Sequence, residues 1–374
     1  MLKTTINKRF RGISGNLNGF LLSLLFICTL TGISQEQATR LTFKADYSGF
    51  FRNNEYFEDY VKGYTLTGNH FTPRLALKLN EKATFEVGAH MLKYNGINSF
   101  TEVVPYISMK VSPLSDFDVV LGSFNSSERM LLSDKIFSEE HLLTDFIEEG
   151  LLLKYRANQF RVQAWLDWEK FIFSGDPFRE RFKVGGIALW HSEKNLKTNF
   201  QLKVQTLIQH KGGQIDNSGL PVSTIMNHAF SVSLNHDATT LKQFSLAGTF
   251  YTFNDLNGNE SWVSESGWAL DFPVSYQSEN TSVTAGYWFA DAFIAPYGNP
   301  VFQTASLTGP AINMPDNSIA YLVLNYDYDL AQGVRINLGL SNYYLTGFNS
   351  FNYHYSIKII FRQSFFLTNL EKMM

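Results

Sequence analysis

Arg74 and Lys78, Lys154 and Arg156, Asp167 and Glu169, and Lys358 and Arg362 are spaced by two or four residues in segments whose intervening positions are largely apolar. In an extended strand, residues at that spacing share one face. A sheet closed on itself aims that face inward, where charges can filter solutes or neutralise one another. The set assigned to such an interior is Arg74, Lys78, Glu86, Lys154, Arg156, Arg161, Asp167, Glu169, Lys183, Lys203, Arg335, Lys358 and Arg362. Basic positions outnumber acidic ones, which implies a polar pore favouring anions or neutral polar solutes. The alternative is a charge network that fills a plugged barrel. His90 and His354 fall on the same inward face and could be half of a Ser/His or Asp/His hydrolytic set; a lone inward histidine is more often a hydrogen-bonding wall residue.

Other chemistry was sought by motif. The chain has no G-x-S-x-G elbow, no H-E-x-x-H, no phosphate-binding loop and no G-x-G-x-x-G. His228 and His236 share a strand face but lie too far apart to hold one metal. Asp255-Leu-Asn-Gly-Asn-Glu260 lacks the full calcium-loop pattern and reads as a hairpin tip. Catalytic residues, a metal and a cofactor are therefore not expected, and the chain is read as a non-enzyme.

Composition narrows the class. Lys and Arg total 31 against 34 Asp and Glu, a net charge of -3, which argues against nucleic acid as a partner. The single cysteine excludes a disulfide scaffold. No apolar run reaches the length of a membrane helix. Lys3, Lys8, Arg9 and Arg11 precede an apolar run, 20–30, and then Gly32 and Ser34. That order predicts a signal peptide over 1–34, cut before Gln35. Its loss removes four basic residues, no acidic one, and the only cysteine, Cys28.

From 41 to 363 the pattern is alternating throughout, with no linker or low-complexity tract. Tyr353, Tyr355, Ile357, Ile359 and Phe361 oppose His354, Ser356, Lys358 and Arg362; Val334, Ile336, Leu338 and Leu340 oppose Arg335, Asn337, Gly339 and Ser341. Sixteen such segments appear, with 14 to 18 compatible with boundary errors. Most are longer than the strands of soluble proteins and fit the roughly 9–11 residues of a tilted membrane strand. Tight turns alternate with longer polar links, as in a barrel with short periplasmic turns and long external loops. Closure is required because lipid offers no partner to an open sheet edge. The expectation is an all-β, closed antiparallel transmembrane barrel, a single domain over 35–374 with strands over 41–363 and a short tail, 364–374; either Phe365 or Phe366 extends the last strand, or Leu367–Met374 is a periplasmic appendage.

In these features the chain resembles a Gram-negative outer-membrane β-barrel, porin-like in layout and similar to those of Bacteroidota. The resemblance implies residence in the outer membrane, contact with its lipid, passage through the barrel-assembly machinery and the possibility of a homo-oligomer. Its function would be passive diffusion of small polar solutes. The alternatives are a plugged docking barrel that binds a partner through its loops, and a barrel hydrolase acting on lipid. In sixteen-stranded porins the third long loop folds inward. Here that loop is 125–147, and Glu128, Arg129, Asp134, Lys135, Glu139, Glu140, His141 and Asp145 would face basic wall residues; an ordinary external loop is the other reading. Link 295–317, with Pro296, Pro300, Pro310 and Pro315, reads as a rigid external lid or receptor surface. The segment 165–173, Trp-Leu-Asp-Trp-Glu-Lys-Phe-Ile-Phe, receives no role.

Overall fold

The computed structural model describes residues 39–125, 132–192, 197–258, 262, 264–307, 312, 314 and 316–370. The expected leader 1–34, Glu128 and Arg129 lie outside them. The strands are β1 (Thr39–Glu55), β2 (Tyr64–Asn80), β3 (Ala83–Tyr94), β4 (Glu102–Leu114), β5 (Phe117–Asn125), β6 (Ile147–Arg156), β7 (Phe160–Lys170) and β8 (Arg181–His191). They continue as β9 (Thr198–Lys211), β10 (Ser223–Thr239), β11 (Lys242–Asp255), β12 (Ser266–Gln277), β13 (Thr281–Asp291), β14 (Asp316–Ala331), β15 (Val334–Leu345) and β16 (Ser350–Leu370). Each pairs with its sequence neighbours, and β1 pairs antiparallel with β16, which closes the barrel.

β16 does not stop at Phe361. Phe365, Phe366 and Thr368 pair with Phe43, Thr42 and Leu41 of β1, so of the two readings of the tail the extended strand is the one observed, and it runs to Leu370. Alternation carries the two environments. Outward positions such as Phe200, Leu202, Val204, Phe230, Val232, Leu246, Phe272 and Val274 are exposed and apolar, as a lipid-facing wall requires. Inward positions are polar in the half near the short turns and largely buried in the half near the long loops.

That outer half is filled. The described parts of two long loops, 132–146 and 292–307, lie inside the barrel and form one apolar core with its wall. Leu132, Ile136 and Phe137 of the first pack with Phe293, Ile294, Val301 and Phe302 of the second, against wall residues that include Trp165, Tyr251, Trp288, Tyr321 and Tyr343. The loop read as an external lid is thus an internal plug, because its apolar run finds a dry surface in the lumen and none in water. Buried backbone needs partners, and the wall supplies them. The side-chain amide of Asn227 donates to the Ile294 carbonyl at 2.8 Å, and that of Asn317 to the Val301 and Gln303 carbonyls at 2.9 Å each. Gln205 accepts from the Ser133 amide at 2.6 Å. The loops also bind each other, Ser138 N–H to the Tyr297 carbonyl at 2.7 Å and Asn299 N–H to the Asp134 carbonyl at 2.8 Å.

Trp288 is 0 % exposed and packs edge-on against Tyr251, Phe293 and Phe302. Trp288→Ala is expected to cost about 3–5 kcal/mol. The measurable consequence is a lower temperature for loss of the heat-modifiable folded band of the purified protein on gels; an unchanged temperature would show that the plug contributes nothing to stability.

Candidate active site on the outer rim

Many of the interior charges expected from alternation are arranged as ion pairs. Arg74 meets Asp46 at 2.6 Å and Glu86 at 3.1 Å, while Lys44 also reaches Glu86. Lys78 pairs with Glu81 at a turn, and Arg335 forms a two-pronged contact with Asp329. Lys358 lines a cavity of about 420 Å³ beneath the plug, and Lys203 faces the lumen between Gln201 and Gln205. Lys154 and Arg161 sit on the wall near the periplasmic mouth.

Lys183 is 0 % exposed and is the hub of the densest cluster. Its ammonium lies 3.0 Å from Asp167, 2.9 Å from Glu169, 3.1 Å from Asp145 and 4.0 Å from Glu148. Carboxylate oxygens of Asp145, Glu148 and Asp167 lie within 4.8 Å of one another, a spacing that could hold a metal; here the ammonium takes that place. The Tyr297 ring lies 4.8 Å from the same ammonium, and its hydroxyl donates to Glu169. Burial pushes the Tyr297 phenol above its ordinary value.

Loop 132–146 does fold inward, but its charges do not all meet basic wall residues. Glu140 meets Arg52 at 3.4 Å and accepts from Tyr64 and Asn54; Asp145 meets Lys183. Asp134 instead accepts from Asn299 of the second loop, and Lys135 meets an acidic wall residue, Asp271, at 3.2 Å. Burial alone would lower the Lys135 ammonium, but Asp271 holds it above its ordinary value. Glu139 lines the cavity below. The loop is therefore tied to the wall at three corners.

His90 and His354 are both buried in the lumen. His354 Nδ1 lies 3.4 Å from the hydroxyls of Tyr56 and Tyr343 and 3.3 Å from Arg52. His90 belongs to a relay. Its Nδ1 is 2.7 Å from Thr72 Oγ1, its Nε2 is 3.3 Å from His70 Nδ1, and His70 Nε2 is 3.1 Å from the Leu143 carbonyl. The carbonyl only accepts, so with neutral rings protons run Thr72 to His90 to His70 to Leu143. The arrangement resembles an activated hydroxyl, but Thr72 is 0 % exposed and no lipid ester can reach it through a closed wall.

A second hydroxyl–imidazole pair has that access. His210 and Thr224 are register partners near the external ends of β9 and β10, with Nδ1 and Oγ1 2.9 Å apart. Their sequence neighbours Gln209, Ser223 and Ile225 are buried inward, so these two face out. The imidazole stacks at 4.8 Å on Phe182, which stacks at 5.3 Å on Trp168. Above this row stand loops 171–180 and 212–222, which present Phe171, Phe173, Ile215 and Leu220; Phe173 is 71 % exposed. Arg179 bridges the loops by donating to the Pro221 carbonyl at 2.7 Å. Lys170, Arg181 and Lys211 are cross-strand neighbours at these strand ends, with Arg181 and Lys211 alternating onto the inward side of Lys183 and Gln209 rather than the side of His210. The 165–173 segment now has its parts: Trp165 in the plug, Asp167 and Glu169 on Lys183, Trp168 in the lipid-facing row, and Phe171 and Phe173 at the rim.

This row was missed from sequence. Its only signal was a histidine on the largely apolar face of β9 that carries Phe200, Leu202, Val204 and Ile208; the pairing with Thr224 depends on register.

A family model described as "Lipid A 3'-O-deacylase-type" matches residues 33–370. Among solved structures, a loop-deletion mutant of OmpT, an outer membrane protein of Vibrio cholerae, superposes with a TM-score of 0.50 at 13% identity, covering 87% of this chain and 100% of that one. The outer membrane protein OprD from Pseudomonas aeruginosa does so with a TM-score of 0.50 at 8% identity, covering 87% and 94%. At such identities these likenesses show the fold alone, an outer-membrane barrel. A search of curated proteins found no match. The expectation of a non-enzyme is overturned by the family match, which points to a hydrolase. The match spans the whole barrel, and the chain belongs to the lipid A 3'-O-deacylase-type family.

Proposed function

We propose that the protein hydrolyses an acyl ester of a lipid A-type glycolipid, with His210 as general base on the lipid-facing rim. The observation that carries this reading is the imidazole held outward by Thr224 beneath two loops that bear exposed apolar side chains, one of them with Arg179. The ester of an outer-leaflet lipid lies near the boundary of headgroup and hydrocarbon, level with the rim, so neither substrate nor enzyme need leave the membrane.

The chemistry follows from the ring's orientation. With Nδ1–H donating to Thr224 Oγ1, Nε2 is left as the acceptor. It takes a proton from water as the water oxygen attacks the ester carbonyl. The tetrahedral intermediate collapses with cleavage of the bond to the sugar oxygen, and the imidazolium returns the proton there. Fatty acid and a free sugar hydroxyl result. Arg179 on loop 171–180 suits a phosphate of such a lipid, and Phe171, Phe173 and Leu220 suit its chains.

The test is incubation of purified protein with lipid A in mixed micelles, followed by mass spectrometry. Loss of an ester-linked acyl chain with stoichiometric fatty acid is expected. Intact lipid A after prolonged incubation would overturn the reading.

A further inference from the structure

We propose that the inner half of the lumen is a blind receptor for an anionic saccharide that enters from the periplasm. The site lies at the opposite end of the barrel from His210 and does not rest on the hydrolase reading.

The first observation is a cavity of about 580 Å³ at the short-turn ends of β6 to β11. The described plug residues fill the lumen toward the outside, so a ligand that enters here must leave the same way. Its volume falls within the roughly 300–1,000 Å³ of small-molecule sites.

The second observation is the wall's chemistry. Arg156 and Arg161 are cross-strand partners on β6 and β7. Arg156 is neutralised by Asp118 at 2.6 Å, whereas no acidic group among the described residues lies within salt-bridge distance of Arg161. Lys203, two residues further along the same face than Gln201, lies outside the cavity's lining and also has no such partner among them. A guanidinium fork accepts a carboxylate or phosphate by two parallel hydrogen bonds.

Further round the wall stand carboxamides and one carboxylate, Asp237, which accepts from Gln243 at 2.7 Å. Asn235 donates to Asn199 at 3.3 Å and Gln201 accepts from Ser233 at 3.4 Å. These contacts are long, and each amide carries two N–H donors and a carbonyl acceptor, so capacity remains for a row of hydroxyls. A bare anion would use the cation and leave the amides idle; a neutral sugar would leave Arg161 unanswered. A sugar bearing one carboxylate or phosphate uses both.

The test is isothermal titration of the purified protein in detergent micelles with glucuronate, glucose 6-phosphate, glucose and inorganic phosphate. At least one sugar acid is expected to bind saturably, with glucose and inorganic phosphate at least about tenfold weaker and with Arg161→Ala reducing sugar-acid affinity by about 10–100-fold. Which acid binds identifies the anion. Inorganic phosphate binding as tightly as the sugar acids would reduce the site to an anion hole and overturn the proposal, as would no saturable binding. Should Arg161→Ala lose the folded, heat-modifiable band, Gln201→Ala is the second variant: weaker sugar-acid binding supports the saccharide site, and unchanged binding overturns it.

Discussion

His210→Gln is expected to lower fatty-acid release from lipid A by about 10²–10⁴-fold, the usual loss when a positioned general base is removed. Glutamine keeps a polar group of similar length on the outer wall, so the folded band should persist. Thr224→Val should give a smaller loss, since it leaves the base present but free to turn away from the ester. The informative controls are His90→Gln and His354→Gln. Both rings are buried behind the plug, and neither can touch an outer-leaflet lipid; variants that fold should retain activity. If His90→Gln abolished release while His210→Gln preserved it, the reaction would belong to the relay of Thr72, His90 and His70, and the lipid would have to be drawn into the lumen.

Arg179 separates binding from chemistry in the same assay. It stands on loop 171–180 above the His210 row. Its replacement should raise the lipid concentration needed for half-maximal rate more than it lowers the limiting rate, whereas His210→Gln should do the reverse.

The barrel itself was legible because lipid and lumen impose opposite demands on adjacent residues. The alternation of Ile357 and Ile359 with Ser356 and Lys358 survives intact in β16, and the sixteen segments read from sequence are the sixteen strands observed. The inward path of 292–307 was not legible from its prolines, which exclude regular structure but not burial. Its better signal was the pair of apolar runs Phe293-Ile294-Ala295 and Val301-Phe302, which an external loop in water has no reason to carry. The wall held the complementary signal in Asn227, Asn317 and Gln205, inward amides whose partners turn out to be loop backbone. Hydrolytic geometry was the least legible. A pair such as His210 and Thr224 is created by strand register, and the same contact recurs between Thr198 and His236 at the other end of the barrel, where no counterpart of loops 171–180 and 212–222 lies among the described residues. Type and spacing along one strand cannot tell these apart; only the position along the barrel axis and the neighbouring loops can.

The second large effect concerns the lumen. Wild-type protein in a planar bilayer is expected to show no ohmic steps, because apolar side chains of both plugs meet the wall around the outer half of the barrel. Lys183→Met should change this. The substitution removes the ammonium that Asp145, Asp167 and Glu169 surround, leaving carboxylates buried without their counter-charge, a change that typically costs about 3–5 kcal/mol. Asp145 is the loop's own ligand at this corner, so the least costly response is for 132–146 to lift from the wall and return its carboxylate to water. Conductance steps should then appear, and they should be larger still when Lys135→Met removes the second corner at Asp271. Steps of equal size in wild type and in both variants would mean that the loops do not seal the barrel, and the diffusion reading would regain the ground. A silent double variant with a normal folded band would mean that the contacts between loop and loop, rather than the three charged corners, hold the plug in place.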